Sequence, residues 1–251
     1  MAEIFVTGDK HGELGMKYLS PRHFPAGSSL TRDDFVVILG DFGLLWNNPP
    51  TDAERRWLKW LSGRNWTTLV VDGNHENFEL LDALPEEERW GGPVGVIAPG
   101  VFHLRRGYIY SIAGKSVFVF GGAESIDKAW RTPGKSWWPR EILSFEEAER
   151  GFDSLDRAGW RVDYVWTHAA PGRALRRLFG KNPAPGQGEE EKVKDPVSWY
   201  LNEIAGKLEF SMWCFGHYHV QSPPFSAGAK GLFRAEYREV RPLLVSGQGQ
   251  L

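Results

Sequence analysis

Short apolar runs recur along the chain, and each breaks off at a polar turn. Residues 4–7 run into Gly8-Asp9, residues 35–39 into Gly40-Asp41, residues 68–71 into Asp72-Gly73-Asn74-His75, and residues 162–167 into His168. The runs are rich in β-branched and aromatic residues and almost wholly apolar, the pattern of strands covered on both faces. Between them stand helix start signals. Thr51-Asp-Ala-Glu54 and Ser144-Phe-Glu-Glu147 are capping-box patterns. Behind the first, Ala53, Trp57, Trp60 and Leu61 recur at helical spacing and predict one apolar face. A third helix is predicted from Asp195, a cap followed by Pro196 at the first helical position, to Leu208. Residues 108–112 and 117–120 read as a hairpin joined across Ala113-Gly-Lys-Ser116, and residues 210–215, 232–236 and 243–245 as further strands. Residues 180–194, with their prolines, glycines and the run Glu189-Glu-Glu191, read as a solvated surface loop. Strand alternating with helix predicts a layered α/β architecture. No linker or repeat interrupts it, so residues 1–251 are expected to form one domain.

Charge narrows the function classes. Thirty basic against 32 acidic residues leave a net charge of −2, which excludes a strongly basic nucleic-acid binder or a polybasic membrane-surface protein. The longest clean apolar runs are far short of the roughly 20 residues that a membrane helix needs. The first residues carry neither a basic region nor a long apolar stretch, so no secretory signal is expected. The lone cysteine, Cys214, lies in the apolar run 210–215 and can form neither an internal disulfide nor a thiolate metal site. A reduced, cytoplasmic protein is expected.

The chemistry stands at the strand ends. Five of the seven histidines sit in short polar motifs: Asp9-Lys-His11, Gly73-Asn-His-Glu76, Thr167-His168 and Gly216-His-Tyr-His219; His23 and His103 are the others. Imidazole, carboxylate and amide oxygen are ligands for borderline divalent metals. Strand ends of this kind border the crevices where α/β folds bind ligands. Asp9, His11, Asp41, Asn74, His168, His217 and His219 are the candidates. One ion could not use all of them and leave room for substrate, whereas two ions sharing a bridging carboxylate could.

The ordered blocks Gly8-Asp9-Lys10-His11-Gly12, Gly40-Asp41, Gly73-Asn74-His75-Glu76, Thr167-His168 and Gly216-His217-Tyr218-His219 resemble the calcineurin-like metallophosphoesterase superfamily. The resemblance implies a four-layer α/β/β/α sandwich of two mixed β-sheets flanked by helices. It also implies that Asp9, His11 and His219 hold one metal, that Asn74, His168 and His217 hold the second, and that Asp41 bridges them. His75 would not be a ligand; it would assist the leaving group while a metal-bridging hydroxide attacks the phosphate. The donor set suits manganese, iron, zinc, nickel or cobalt better than magnesium or calcium, with manganese favoured.

Two departures bear on substrate. The block Gly40-Asp-Phe-Gly-Leu-Leu-Trp46 lacks the arginine that protein phosphatases and dinucleoside-tetraphosphate hydrolases of the superfamily carry there. Glu76 stands where many of its cyclic-nucleotide phosphodiesterases have aspartate. Residues 121–141 follow no helical or strand period yet contain Trp130, Arg131, Trp137, Trp138 and Arg140. Arg131, Trp137 and Trp138 are candidate substrate-binding residues, with His103 beside Arg105 and Arg106 as a further one. The same segment also reads as a loop packed down by its own aromatics. The expected function is hydrolysis of small phosphodiesters or nucleotides. The alternatives are a metal-dependent nuclease or polynucleotide-end phosphatase, which the charge disfavours, and an inactive scaffold, which the intact ligand set and His75 disfavour.

Overall fold

The computed structural model describes residues 2–180 and 195–243. Two mixed β-sheets pack face to face. In the first, β1 (Ile4–Thr7), β2 (Phe35–Leu39) and β3 (Thr67–Val71) run parallel at the centre. The strands β4 (Glu86–Arg89), β5 (Gly92–Ala98) and β6 (Val101–Leu104) extend the sheet beyond β3, and β13 (Arg241–Pro242) closes the other edge. The second sheet has the order β11 (Phe225–Ser226), β12 (Lys230–Ala235), β10 (Glu209–Phe215), β9 (Tyr164–Thr167), β8 (Lys115–Phe120), β7 (Tyr108–Ile112).

Side-chain alternation along the strands sorts the core into three apolar layers. Val37, Leu39, Leu69 and Val71 of the first sheet meet Val117, Val119, Trp166 and Cys214 of the second. On the outer face of the first sheet, Phe5, Val36, Ile38 and Val70 pack against Met16 of α1 (Glu13–Met16), Leu61 of α2 (Asp52–Ser62) and Trp66. The outer face of the second, with Phe118, Phe120, Val165 and Trp213, is covered by α4 (Phe145–Arg157), α5 (Gly172–Phe179) and α6 (Pro196–Lys207). Burying each such side chain contributes about 1.5–3 kcal/mol. The result is the expected sandwich, two mixed sheets flanked by helices.

Both capping boxes form, at Thr51 with Glu54 and at Ser144 with Glu147. Asp195 caps α6, accepting from the Val197 amide at 2.9 Å. Trp57 and Trp60 pack against the outer layer of the first sheet, and Cys214, Trp166 and Trp213 are fully buried. The hairpin between β7 and β8 is tighter than expected. Lys115 pairs with Ile112, leaving Ala113 and Gly114, both at positive φ, as a two-residue turn.

Some boundaries differ. The strand expected at 162–167 begins at Tyr164, because the Asp163 carboxylate takes the amide and hydroxyl of Ser116, both at 2.9 Å. The strand expected at 232–236 lies two residues earlier at its start and one at its end. The last strand is Arg241–Pro242 and not 243–245; residues 244 and 245 lie outside the described residues, as do 181–194 of the expected loop. The pattern did not reveal β4, β5 and β6, nor α3 (Phe78–Asp82) and α5. The exposed Glu-Glu-Glu-Arg of β4 is a charged edge strand, defined by its pairing to β5 and not by any apolar period.

Candidate metal centre

The carboxyl ends of β1, β2, β3, β9 and β10 open toward one another, and they carry all seven candidate ligands. The contacts form a chain. Asp9 Oδ2 lies 3.0 Å from His219 Nε2, which lies 3.0 Å from His11 Nε2. His11 Nε2 is 3.6 Å from Asp41 Oδ2, and Asp41 Oδ1 is 3.5 Å from His168 Nε2. His168 Nε2 is 3.0 Å from Asn74 Oδ1, and the His168 and His217 rings meet edge to face at 4.9 Å. One ligand atom each from Asp9, His11, Asp41 and His219 lies within 4.8 Å of the others.

Local backbone makes this crowding feasible. A Cβ at Gly73 would overlap the Asp41 carboxylate, and one at Gly216 would overlap that of Asp9, so only glycine lets those loops close around the acids. His11, Asp41, His217 and His219 all have φ between 47° and 68°. Left-handed backbone at such residues costs of order 1–3 kcal/mol each and concentrates at functional sites. Each loop is tied to a carboxylate: the His217 amide donates to Asp9 Oδ1 at 2.9 Å and the His75 amide to Asp41 Oδ1 at 2.8 Å. Glu76 braces the floor, accepting from the amides of Phe42 at 2.7 Å and Gly73 at 3.3 Å. Burial, with Asp41 beside it, pushes the Glu76 carboxyl well above its usual range.

The donor set fits cations. His168 Nδ1 is 2.7 Å from the Leu39 carbonyl oxygen, so that nitrogen carries the hydrogen and donates. A neutral ring held this way turns its Nε2 lone pair toward the Asn74 oxygen, and two acceptors that close require a proton or a metal ion to reconcile them. Asp9 Oδ2 is buried and out of line for a hydrogen bond. Burial alone would raise the Asp9 carboxyl, but His219, His168 and the His217 amide hold it well below the usual range. Burial and the neighbouring His168 push His217 down to about 3, which keeps the ring neutral and able to ligate. The His219 side chain is 48% exposed and marks the open side. Tyr237 stacks on it at 4.7 Å, a partner that no motif announced.

His75 is not in the ligand chain. Its ring meets His11 edge to face at 5.3 Å, and Arg131 Nη2 approaches its Nδ1 to 2.6 Å. The same nitrogen of Arg131 donates to Asp127 Oδ2 at 2.7 Å. Burial, followed by the charge of Arg131, lowers the His75 pKa against the opposing charge of Asp41.

Segment 121–141 therefore divides. Arg131 reaches the site, whereas Trp138 does not: it is buried against Phe78 and Leu81 and donates from its indole to Glu79 at 3.2 Å. Trp138 is packed as a core residue. Trp137 is half-buried with its indole nitrogen enclosed, while Trp130, 83% exposed, is the indole that faces solvent. His103 likewise sits among protein partners. It is buried, 3.1 Å from Asp72 Oδ1, and belongs to a cluster with Arg105 and Arg106 behind β3. Ser125 and Glu141, which carried no motif, adjoin the centre: Asn74 Nδ2 donates to Ser125 Oγ at 2.9 Å, and Ser125 Oγ to Glu141 Oε2 at 2.5 Å.

Residues 2–221 match the calcineurin-like phosphoesterase family, and the chain belongs to it. It is accordingly a phosphoester-hydrolysing enzyme of a family that uses divalent metals. No curated protein matches the sequence. Two of the solved structures similar to it follow. A phosphopantetheinyl hydrolase from Mycobacterium tuberculosis is 16% identical with a TM-score of 0.45, over 100% of this chain and 99% of that one. A protein assigned as a 5′-nucleotidase from Staphylococcus aureus is 11% identical with a TM-score of 0.49; the match spans 100% of this chain and 56% of the other. Likeness at that level does not extend to substrate. Among the described residues no helix is long and apolar enough to cross a membrane.

Proposed function

We propose that this chain is a dinuclear phosphoesterase acting on small phosphodiesters or nucleotides. Asp9, His11 and His219 would hold one divalent ion, Asn74, His168 and His217 the other, and Asp41 would bridge them. The observation that carries the reading is that His168 Nε2 and Asn74 Oδ1, both acceptors, face each other at 3.0 Å beside the clustered ligand atoms of Asp9, His11, Asp41 and His219. Bound there, such ions neutralise phosphate oxygens and lower the pKa of water enough to supply a nucleophile near neutral pH. The mixed imidazole, carboxylate and amide donors suit manganese, iron, zinc, nickel or cobalt better than magnesium or calcium.

The chain's own residues supply the rest. His75, outside the ligand set but against His11, is placed to give a proton or hydrogen bond to the departing oxygen. Arg131 brings a guanidinium to the same side, where it can grip a phosphate oxygen in place of the arginine that the Gly40–Trp46 block lacks. A cytoplasmic setting suits the buried, reduced Cys214. The test is a matrix of metals against substrates on chelated protein: phosphomonoester and phosphodiester chromogens, nucleotides, and single-stranded DNA and RNA. Manganese should bind at two ions per chain and restore hydrolysis of small diesters or nucleotides. A stoichiometry of one would end the dinuclear reading, and activity confined to polynucleotides would replace the substrate class with that of a nuclease.

A further inference from the structure

We infer that Ser125 and Glu141 are positioning residues that set which atom of Asn74 faces the metal centre, and thereby the affinity of its second ion. The inference rests on the proposed reading of Asn74 as a ligand. A carboxamide can turn over with little steric change, because its oxygen and nitrogen are nearly the same size. Turned one way, Asn74 offers an oxygen to a cation. Turned the other way, it offers an NH2 group to the Nε2 lone pair of His168, which satisfies both side chains with no cation present.

The Ser125 hydroxyl selects between these states. Its oxygen lies 2.5 Å from Glu141 Oε2, and the Ser125 amide donates to Glu141 Oε1 at 2.9 Å. The Ser125 hydroxyl is the donor to that carboxyl oxygen, so its hydrogen points to Glu141. What remains for Asn74 is the hydroxyl's lone pairs, and only the NH2 end can donate to them, as it does at 2.9 Å. The Asn74 oxygen is thereby left facing His168. Asn74, Ser125 and Glu141 are all buried, so water does not compete. The neighbouring ligand is held the same way, by the Leu39 carbonyl behind His168. Together the two supports disfavour the arrangement that would be comfortable without metal. Segment 121–141 thereby acquires a second role, since Ser125 and Glu141 lie near its two ends and buried Trp138 pins it between them.

Manganese titrated into the chelated full-length chain, followed by calorimetry, tests this with a readout independent of turnover. Glu141→Gln places an NH2 group where the carboxylate accepted, which releases the Ser125 hydroxyl to donate to the Asn74 oxygen and favours the turned-over amide. The second ion should bind roughly 10–100-fold more weakly, the scale for loss of an outer-shell partner, while the first is unchanged. Ser125→Ala should weaken the second ion less, and Ser125→Thr, which keeps the hydroxyl, should restore it. Thermal unfolding of each metal-free variant checks that it is folded; should Glu141→Gln fail, the Ser125 pair carries the same test. Equal weakening of both ions in the folded variants would overturn the inference. So would an unchanged second ion in Glu141→Gln alongside its loss in Asn74→Ala. If Asn74→Ala itself keeps both ions, the ligand reading has failed and the positioning role falls with it.

Discussion

At the end of β3 the Asp72 carboxylate takes two hydrogen bonds from Arg106, at 2.8 and 2.5 Å, and lies 3.1 Å from His103. Arg106 continues to Glu147 and to the carbonyl oxygens of Ile142 and Glu141, each at 3.2 Å. One strand away, the equally buried Asp41 carboxylate takes the His75 amide and is otherwise approached by imidazoles at 3.5 and 3.6 Å. In the first cluster, Asp72 and Arg106 complete their hydrogen bonds within the protein. The second assembles candidate ligands whose lone pairs and charges are left for something else to reconcile. Both are Asp–His clusters at strand ends, and what separates structural from chemical is whether the hydrogen bonds close.

That contrast breaks most visibly at Asp41. Asp41→Asn should lose both ions and depress turnover well beyond the roughly 10–100-fold that an outer-shell change costs. It should also lose the stabilisation that metal gives the native chain, about 2.7 kcal/mol at a metal concentration 100 times Kd. Elemental analysis and thermal unfolding with and without manganese read both; retention of two ions would erase the distinction between the clusters. His75→Asn should lower kcat by about 10²–10⁴-fold with metal content intact, and more for poor leaving groups than for nitrophenolate. Loss of metal would instead make His75 a ligand.

On the completed side, Arg106→Met strands the Asp72 carboxylate and should destabilise the fold by about 3–5 kcal/mol. Denaturant unfolding should show the same deficit in chelator and in manganese, because no ion serves that cluster; rescue by manganese would contradict this. A smaller effect is expected at Arg131, which touches His75 but no ligand. Arg131→Ala should cost about 1.5–3 kcal/mol in kcat/KM for phosphodiesters, the scale of a hydrogen bond to a charged group, with metal affinity and unfolding midpoint unchanged. A fall in the midpoint equal to that of Arg106→Met would make it packing. Last, burial pushes the Cys214 thiol up to about 12. At pH 8 native protein should resist iodoacetamide, and labelling should follow global unfolding; rapid labelling of native protein would show that the layer between the sheets opens locally.

The strand ends and their donors were legible in the sequence because the signals are short-range. An apolar run followed by Gly-Asp or Gly-His needs only a few neighbouring residues, and a capping box spans a single turn. The chain by itself therefore determined the layered α/β class, the loops that carry the candidate ligands and the helix starts at Thr51 and Ser144. It did not separate His103 from His75, or Trp138 from Trp130, because burial depends on distant partners. Asp72 finds Arg106 across 34 positions, Asn74 finds Ser125 across 51, and Asp9 finds the His217 amide across 208. Only the tertiary structure decided these pairings, and with them which carboxylates are neutralised and which are left for a cation. Hydrogen bonds and desolvation act through space, and the spacing of residues along the chain does not encode them.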